Sequence, residues 1–236
     1  MHHSPYSPSS LENDKIAWHR KRNCMKRLSF YFDFISPFSY FAWRLLPTLK
    51  DVKIDFCPAP LGPILKHWGI KGPGEVQPKR EFLLKSCLRY AVREAIPFTT
   101  PKTHPFNSLY ALRLGLKEVA GDLQPQVIAA LWEAGWVDRI DMGEPDEIQA
   151  ALSRRGLPAA ELFEKSFSKE ARAGLKANLA LALEAGVFGG PGFVVDGELF
   201  WGQVSLPDVR DFLSGKDLLD RPKLENLLAS TPRGAS

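Results

Sequence analysis

The rhythm of apolar and polar positions changes twice along the chain. Leu28 to Phe34 is an aromatic, β-prone run that predicts a strand, and Val52 to Cys57 predicts a second. Between them Phe38, Phe41, Ala42, Leu45, Leu46 and Leu49 keep the i, i+3, i+4 spacing of a helix from Pro37 to Leu49. Such a βαβ unit crosses over right-handed. Residues 60–78 read as loop, punctuated by Gly62-Pro63, Gly72-Pro73-Gly74 and Pro78. Helical periodicity then takes over, with helices expected at Lys79–Ala95, Phe106–Val119, Pro125–Glu133, Asp146–Arg154 and Pro158–Glu184, the last broken near Gly174. Strand signals return at Phe193–Val195 and Glu198–Trp201, and the Asp196-Gly197 pair between them predicts a hairpin. Leu206–Leu213 supplies a closing helix, and the last twenty or so residues look ragged.

This order, β-α-β, a helical stretch of about half the chain, then β-β-α, predicts an α/β protein: a thioredoxin-like fold interrupted by a large all-helical insertion. The expected boundaries are 28–60 and 186–215 for the thioredoxin-like part, 61–185 for the inserted helical part, and 216–236 for a tail. Residues 1–27, Ser/Pro-rich and then basic, read as a disordered extension. They carry six basic side chains against two acids, which accounts for the whole net charge of +4. The rest is formally neutral, so no nucleic-acid footprint is expected. No apolar run is long enough to span a membrane. The N-terminus lacks the apolar core of a secretory signal. Cys24, Cys57 and Cys87 form no C-x-x-C and fit neither a disulfide framework nor a metal site. They suit a reducing, cytoplasmic setting. The five histidines share no metal-ligand spacing and read as structural or surface residues, so no metal is expected.

Two segments carry candidate chemistry. Ser36-Pro37 stands where a buried strand hands over to a helix. Serine is a favoured N-cap and proline a favoured first helical residue, so the pair can simply start that helix. The same hydroxyl also sits at the positive end of a helix, where an anion or thiolate is welcome. Gly189-Gly190-Pro191-Gly192 precedes the second strand pair. It lacks the Gly-Lys-Ser/Thr ending of a phosphate loop. It reads either as a plain tight turn or as a cis-proline turn whose backbone pairs with an extended ligand.

The chain resembles the 2-hydroxychromene-2-carboxylate isomerase family, relatives of kappa-class glutathione transferases within the DsbA-like thioredoxin superfamily. The resemblance runs from Leu28 to Leu213 and is carried by Tyr31 to Tyr40, Leu65 to Pro73, His104-Pro105-Phe106-Asn107, and Gly186 to Gln203. It implies a glutathione-dependent isomerase of aromatic-compound degradation acting on a small aromatic substrate, and a homodimer. Ser36 would contact the glutathione sulfur, with Phe38 beside it. Gly190 and Pro191 would hold the tripeptide backbone, Gln203, Val204 and Ser205 would face its γ-glutamyl end, and Lys71 would be a further contact. Trp68, Phe106 and Asn107 would line the aromatic substrate.

Two positions depart from the family pattern. Val204 and Ser205 stand where Asp-Arg is usual, removing the acid that would pair with the γ-glutamyl ammonium. Gly190-Pro191-Gly192 replaces Val-Pro-Thr. Two other readings follow: a kappa-like glutathione transferase using the same serine, and a degenerate thioredoxin-fold binding protein that no longer uses glutathione. A disulfide oxidoreductase is excluded, because Ser36 and Ser39 replace both members of a C-x-x-C.

Overall fold

A computed structural model describes residues 25–231, so the expectation of a disordered extension falls, for residues 1–24, outside the described residues. Strand β1 (Lys26–Phe32) opens the fold, two residues earlier than the apolar pattern suggests. Helix α1 (Pro37–Leu45) follows and leads through a 3-10 turn at Leu46–Thr48 into β2 (Val52–Pro58), parallel to β1. Strands β3 (Gly192–Val195) and β4 (Glu198–Trp201) complete a sheet of order β2-β1-β3-β4, in which β3 is antiparallel to both neighbours. Asp196 and Gly197 both take positive φ, 50° and 83°, as the predicted two-residue hairpin requires. Between β2 and β3 the chain is helical, which is the predicted insertion.

Helix α2 (Leu61–His67) lies where a loop was expected. Gly62 and Pro63 look like breakers, but both fall in its first turn, where a backbone N–H has no helical partner to lose. Then come α3 (Gln77–Arg93), α4 (Leu109–Leu114), α5 (Lys117–Ala120) and α6 (Gln124–Trp136). A single helix from Phe106 was expected in place of α4 and α5. Instead Asn107 Oδ1 accepts the Leu109 N–H at 3.1 Å, and α4 starts there. The insertion ends with α7 (Pro145–Arg154), α8 (Ala159–Ser166) and α9 (Lys169–Glu184).

The expected break near Gly174 is instead at Phe167-Ser168. Ser168 caps α9 by accepting the Ala171 N–H at 3.0 Å. Gly174 lies inside α9 because the Glu118 carboxyl group packs there: an added Cβ would stand 2.9 Å from its Cδ. A 3-10 turn at Gln203–Ser205 precedes α10 (Leu206–Leu213). The tail read as ragged forms α11 (Arg221–Ser230), capped by Asp220 and tied to β4 through Arg221 and Glu198 at 2.9 Å; it buries no residue.

Alternation in β1 decides which groups meet. Phe30 and Phe32 stack at 4.9 Å on one face, Phe193 joins them at 5.4 Å, and Trp132 of α6 lies 4.6 Å from Phe34. Tyr31 points the other way into a smaller cluster with Ala59, Ile64, Ala182 and Val187. The inserted helices therefore pack on the strand that ends at Phe32, just before Asp33 and the start of α1. Cys57 is half-buried and Cys87 buried; burial pushes each thiol up to about 12, as expected of inert core cysteines.

Candidate active site

Ser36 caps α1: its Oγ accepts the Ser39 N–H at 3.2 Å, and Pro37 occupies the first helical position. The same hydroxyl donates across the fold to the carbonyl of Gly190 at 3.3 Å. Gly190–Pro191 is a cis peptide, and the Pro191 carbonyl accepts the Gly202 N–H at 2.9 Å. Ser36, Gly190, Pro191 and the turn that begins at Gly202 therefore form one connected surface. No acidic side chain stands in the first turn of α1; the Asp33 carboxyl group lies in the turn before it and is taken up by backbone N–H groups of Ile35 and Leu61.

The glycines of the Pro191 turn are set by close approaches. A Cβ at Gly189 would meet the Trp201 Nε1 at 2.8 Å, and one at Gly192 would meet Val187 Cγ1 at 3.1 Å. At Gly190 it would come within 3.3 Å of Ser39 Oγ. That hydroxyl is buried and has no hydrogen-bond partner.

The remaining candidates divide. Trp68 is brought to the turn, its Nε1 donating to the Val187 carbonyl at 3.0 Å, and it is half-exposed. Gln203 is buried, whereas Val204 is 68% exposed and carries no charge. Ser205 turns its hydroxyl onto its own turn, donating to the Gly202 carbonyl at 2.8 Å. Phe38 is half-buried against the core. Phe106 is buried in the core; Asn107 is exposed, and its side-chain oxygen accepts the Leu109 N–H at the start of α4. Lys71 is exposed and makes no hydrogen bond or ion pair among the described residues that would tie it to the site.

Side chains that the sequence pattern left unassigned hold the turn before Ser36. Asp33 is almost wholly buried. Its Oδ1 accepts the Ile35 N–H at 3.1 Å, and its Oδ2 accepts the Leu61 N–H at the start of α2 at 2.8 Å. Burial pushes its pKa above the ordinary carboxylate range, and the neighbouring donors on Leu61, Ser108 and Ile35 pull against that rise. From the insertion, Trp136 Nε1 donates to the Phe34 carbonyl at 3.0 Å and His104 Nε2 to the Ile35 carbonyl at 2.9 Å. Burial pushes the His104 pKa below its usual value, and the Arg80 charge adds to that fall while the bond to Ile35 opposes it. The one signal in the sequence was Asp33 itself, a lone carboxylate among aromatic residues at the end of a buried strand.

Among the described residues no group of three or more His, Cys, Asp or Glu is placed to hold a metal ion, and no helix is long and apolar enough to cross a membrane. The arrangement offers an anion a hydroxyl donor and a helix N-terminus, beside a carbonyl-rich turn suited to an extended peptide-like ligand.

Comparison with known proteins agrees with this fold. The chain is 29% identical over 193 residues to the 2-hydroxychromene-2-carboxylate isomerase of Sphingobium xenophagum, covering 80% of this chain and 98% of that one. It is 27% identical over 154 residues to glutathione S-transferase kappa 1 of Caenorhabditis elegans, covering 60% and 68%. A solved 2-hydroxychromene-2-carboxylate isomerase superposes with a TM-score of 0.72 at 22% identity, over 87% of this chain and all of that one, which shows a shared fold. The model of the DSBA-like thioredoxin domain matches residues 27–214, and the chain belongs to that family.

Proposed function

We propose that this protein is a glutathione-dependent isomerase of the 2-hydroxychromene-2-carboxylate type, in which Ser36 holds the glutathione sulfur as a thiolate. The observation that carries the reading is the Ser36 hydroxyl at the N-terminus of α1, bonded across to Gly190 of the cis-proline turn. Similarity to an isomerase and to a kappa-class transferase supports it.

The residues fit the sulfur end of glutathione better than its γ-glutamyl end. Ser36 has a proton to give: its bond to Gly190 is long, at 3.3 Å, and rotation about the Cα–Cβ bond redirects that proton to a ligand. Gly190 and Pro191 would hold the ligand backbone. Gln203, Val204 and Ser205 offer no ionised group to an ammonium or carboxylate. When bound, glutathione supplies a thiolate that adds reversibly to a conjugated alkene and so removes the double-bond barrier to rotation. The chain's own part is to keep that sulfur ionised, through one charge-assisted hydrogen bond and the α1 dipole, and to orient a flat substrate beside it. Trp68, half-exposed and fastened to the Pro191 turn, is the aromatic wall proposed for that substrate.

A calorimetric titration with glutathione tests the proposal, beside Ser36→Ala. Binding at about 1 mM or tighter, followed by turnover of a hydroxychromene carboxylate that Ser36→Ala loses, is the expected result. No heat of binding at several times that concentration would overturn it. The uncharged Val204-Ser205 turn favours a second reading, a thioredoxin-fold binding protein without glutathione, and the same titration separates the two.

A further inference from the structure

The Ile35–Ser36 peptide is the unit that delivers Ser36 to the site, and it is held at both ends. Its N–H donates to the Asp33 carbonyl at 3.0 Å. Its carbonyl oxygen faces His104 Nε2 at 2.9 Å. A carbonyl can only accept, so His104 carries its proton on Nε2. The amide on the other side of Ile35 is fixed too, its N–H donating to Asp33 Oδ1 at 3.1 Å.

The plane of the Ile35–Ser36 peptide bears on the torsion before Ser36, which has φ −91° and ψ 114°, and so on the direction of its Oγ. His104 comes from the helical insertion, 69 residues further along the chain than Ile35. It is itself held: Arg80 of α3 donates to its backbone carbonyl at 3.2 Å, and the rings of Trp136 and Phe106 lie edge-on at 5.6 and 6.3 Å. His104 is partly buried, and among the described residues its ring makes one hydrogen bond, to the carbonyl of the peptide before the site serine. A leucine would fill the same space without the donor.

We infer that His104 is a positioning residue for Ser36: its Nε2–H fixes the Ile35–Ser36 peptide plane so that the serine oxygen and the N-terminus of α1 face the same anion. This role rests on the proposed use of Ser36 as a thiolate-holding hydroxyl. Without the donor, the partly buried Ile35 carbonyl loses its partner among the described residues, and the peptide is free to rotate toward another. A carbonyl oxygen turned toward the site would oppose an anion there.

The test places the anion on the protein itself. Ser36→Cys puts a thiol at the N-cap of α1, where its pKa reports the local field without any glutathione. Burial has pushed Cys57 and Cys87 up to about 12, so in a Cys24→Ser background the new thiol is read by its ultraviolet thiolate absorbance against pH. His104→Leu is then compared with His104→Gln, whose side-chain amide can again place an N–H near the Ile35 oxygen. The expected result is a thiol pKa higher by roughly 0.5–1 unit in His104→Leu and restored in His104→Gln, with native circular dichroism in both. Should His104→Leu fail to fold, His104→Asn, whose shorter amide stops short of Ile35, replaces it. An unmoved pKa in the donor-less variant overturns the inference. An equal rise in donor-less and Gln variants does so too, because the imidazole and not its N–H would then matter. A protein that binds no glutathione but passes this test would sink the proposed activity alone.

Discussion

The two ends of the candidate site are built to different standards. At the sulfur end, Ser36 sits on a turn whose backbone is held by Asp33, His104 and Trp136, three side chains drawn from β1 and the insertion. At the other end, the Gly202–Ser205 turn has its 68%-exposed Val204 turned to solvent and its serine hydroxyl bonded to itself. The first end is stiff and polar in the one place where an anion needs it. The second is connected to it by a single backbone hydrogen bond, Gly202 N–H to Pro191 carbonyl. On the proposed reading, the part that would hold a thiolate and the part that would recognise its carrier are separate structures. The first rests on bonds that fix a backbone, the second on an exposed turn without a charged side chain.

The sharpest way to break this contrast is at Ser36. Ser36→Ala removes the donor and keeps the helix, and kcat with a chromene substrate should fall about 100-fold, the scale of losing one aimed donor. An unchanged kcat at full circular dichroism would put the chemistry elsewhere. Next is Asp33→Ala, which strips two backbone donors of a buried acceptor; stability in urea should fall by about 2–4 kcal/mol. A loss below about 0.5 kcal/mol would mean that the turn does not depend on it.

At the other end the effects shrink. Val204→Asp restores an acid on an exposed turn, and glutathione affinity should rise only about 2- to 5-fold, the worth of a solvent-screened pair. No change would mean that the γ-glutamyl end does not lie there.

The smallest effect is in pH. The folded pKa of His104 lies below its unfolded value, so the unfolded chain binds more protons and stability falls as pH drops through the unfolded value of about 6.5 toward the lower folded one. Asp33 works with the opposite sign, since its raised folded pKa costs stability as pH rises above about 4. His104→Gln should therefore flatten the dependence of urea midpoint on pH below the unfolded value of about 6.5. A slope identical to that of the parent protein would contradict the depressed His104 pKa.

What could be read in the sequence follows from the range of each interaction. Periodicity is local, so β1, α1, β2 and the Asp196-Gly197 hairpin were legible, as were Ser36 as a cap and Pro191 as a turn. Helix α2 was missed because Gly62-Pro63 is punctuation in general and harmless only within a first turn. Gly174 looked like a break because the Glu118 carboxyl group that fills the space beside it comes from another helix. Phe106 and Asn107 were read as a substrate wall from resemblance; the structure buries Phe106 in the core and leaves Asn107 exposed just before α4. The residues that brace Ser36 were illegible for the same reason: Ile35 and His104, or Phe34 and Trp136, meet only once the insertion has folded back on β1.

The central claim is that Ser36 holds a thiolate, and the direct measurement is the pKa of the glutathione thiol when bound, followed by ultraviolet absorbance against pH with the parent protein and with Ser36→Ala. The account predicts a bound thiol about 1–2 pH units more acidic than free glutathione, with most of that difference lost in the variant. Two titrations that superimpose would contradict it.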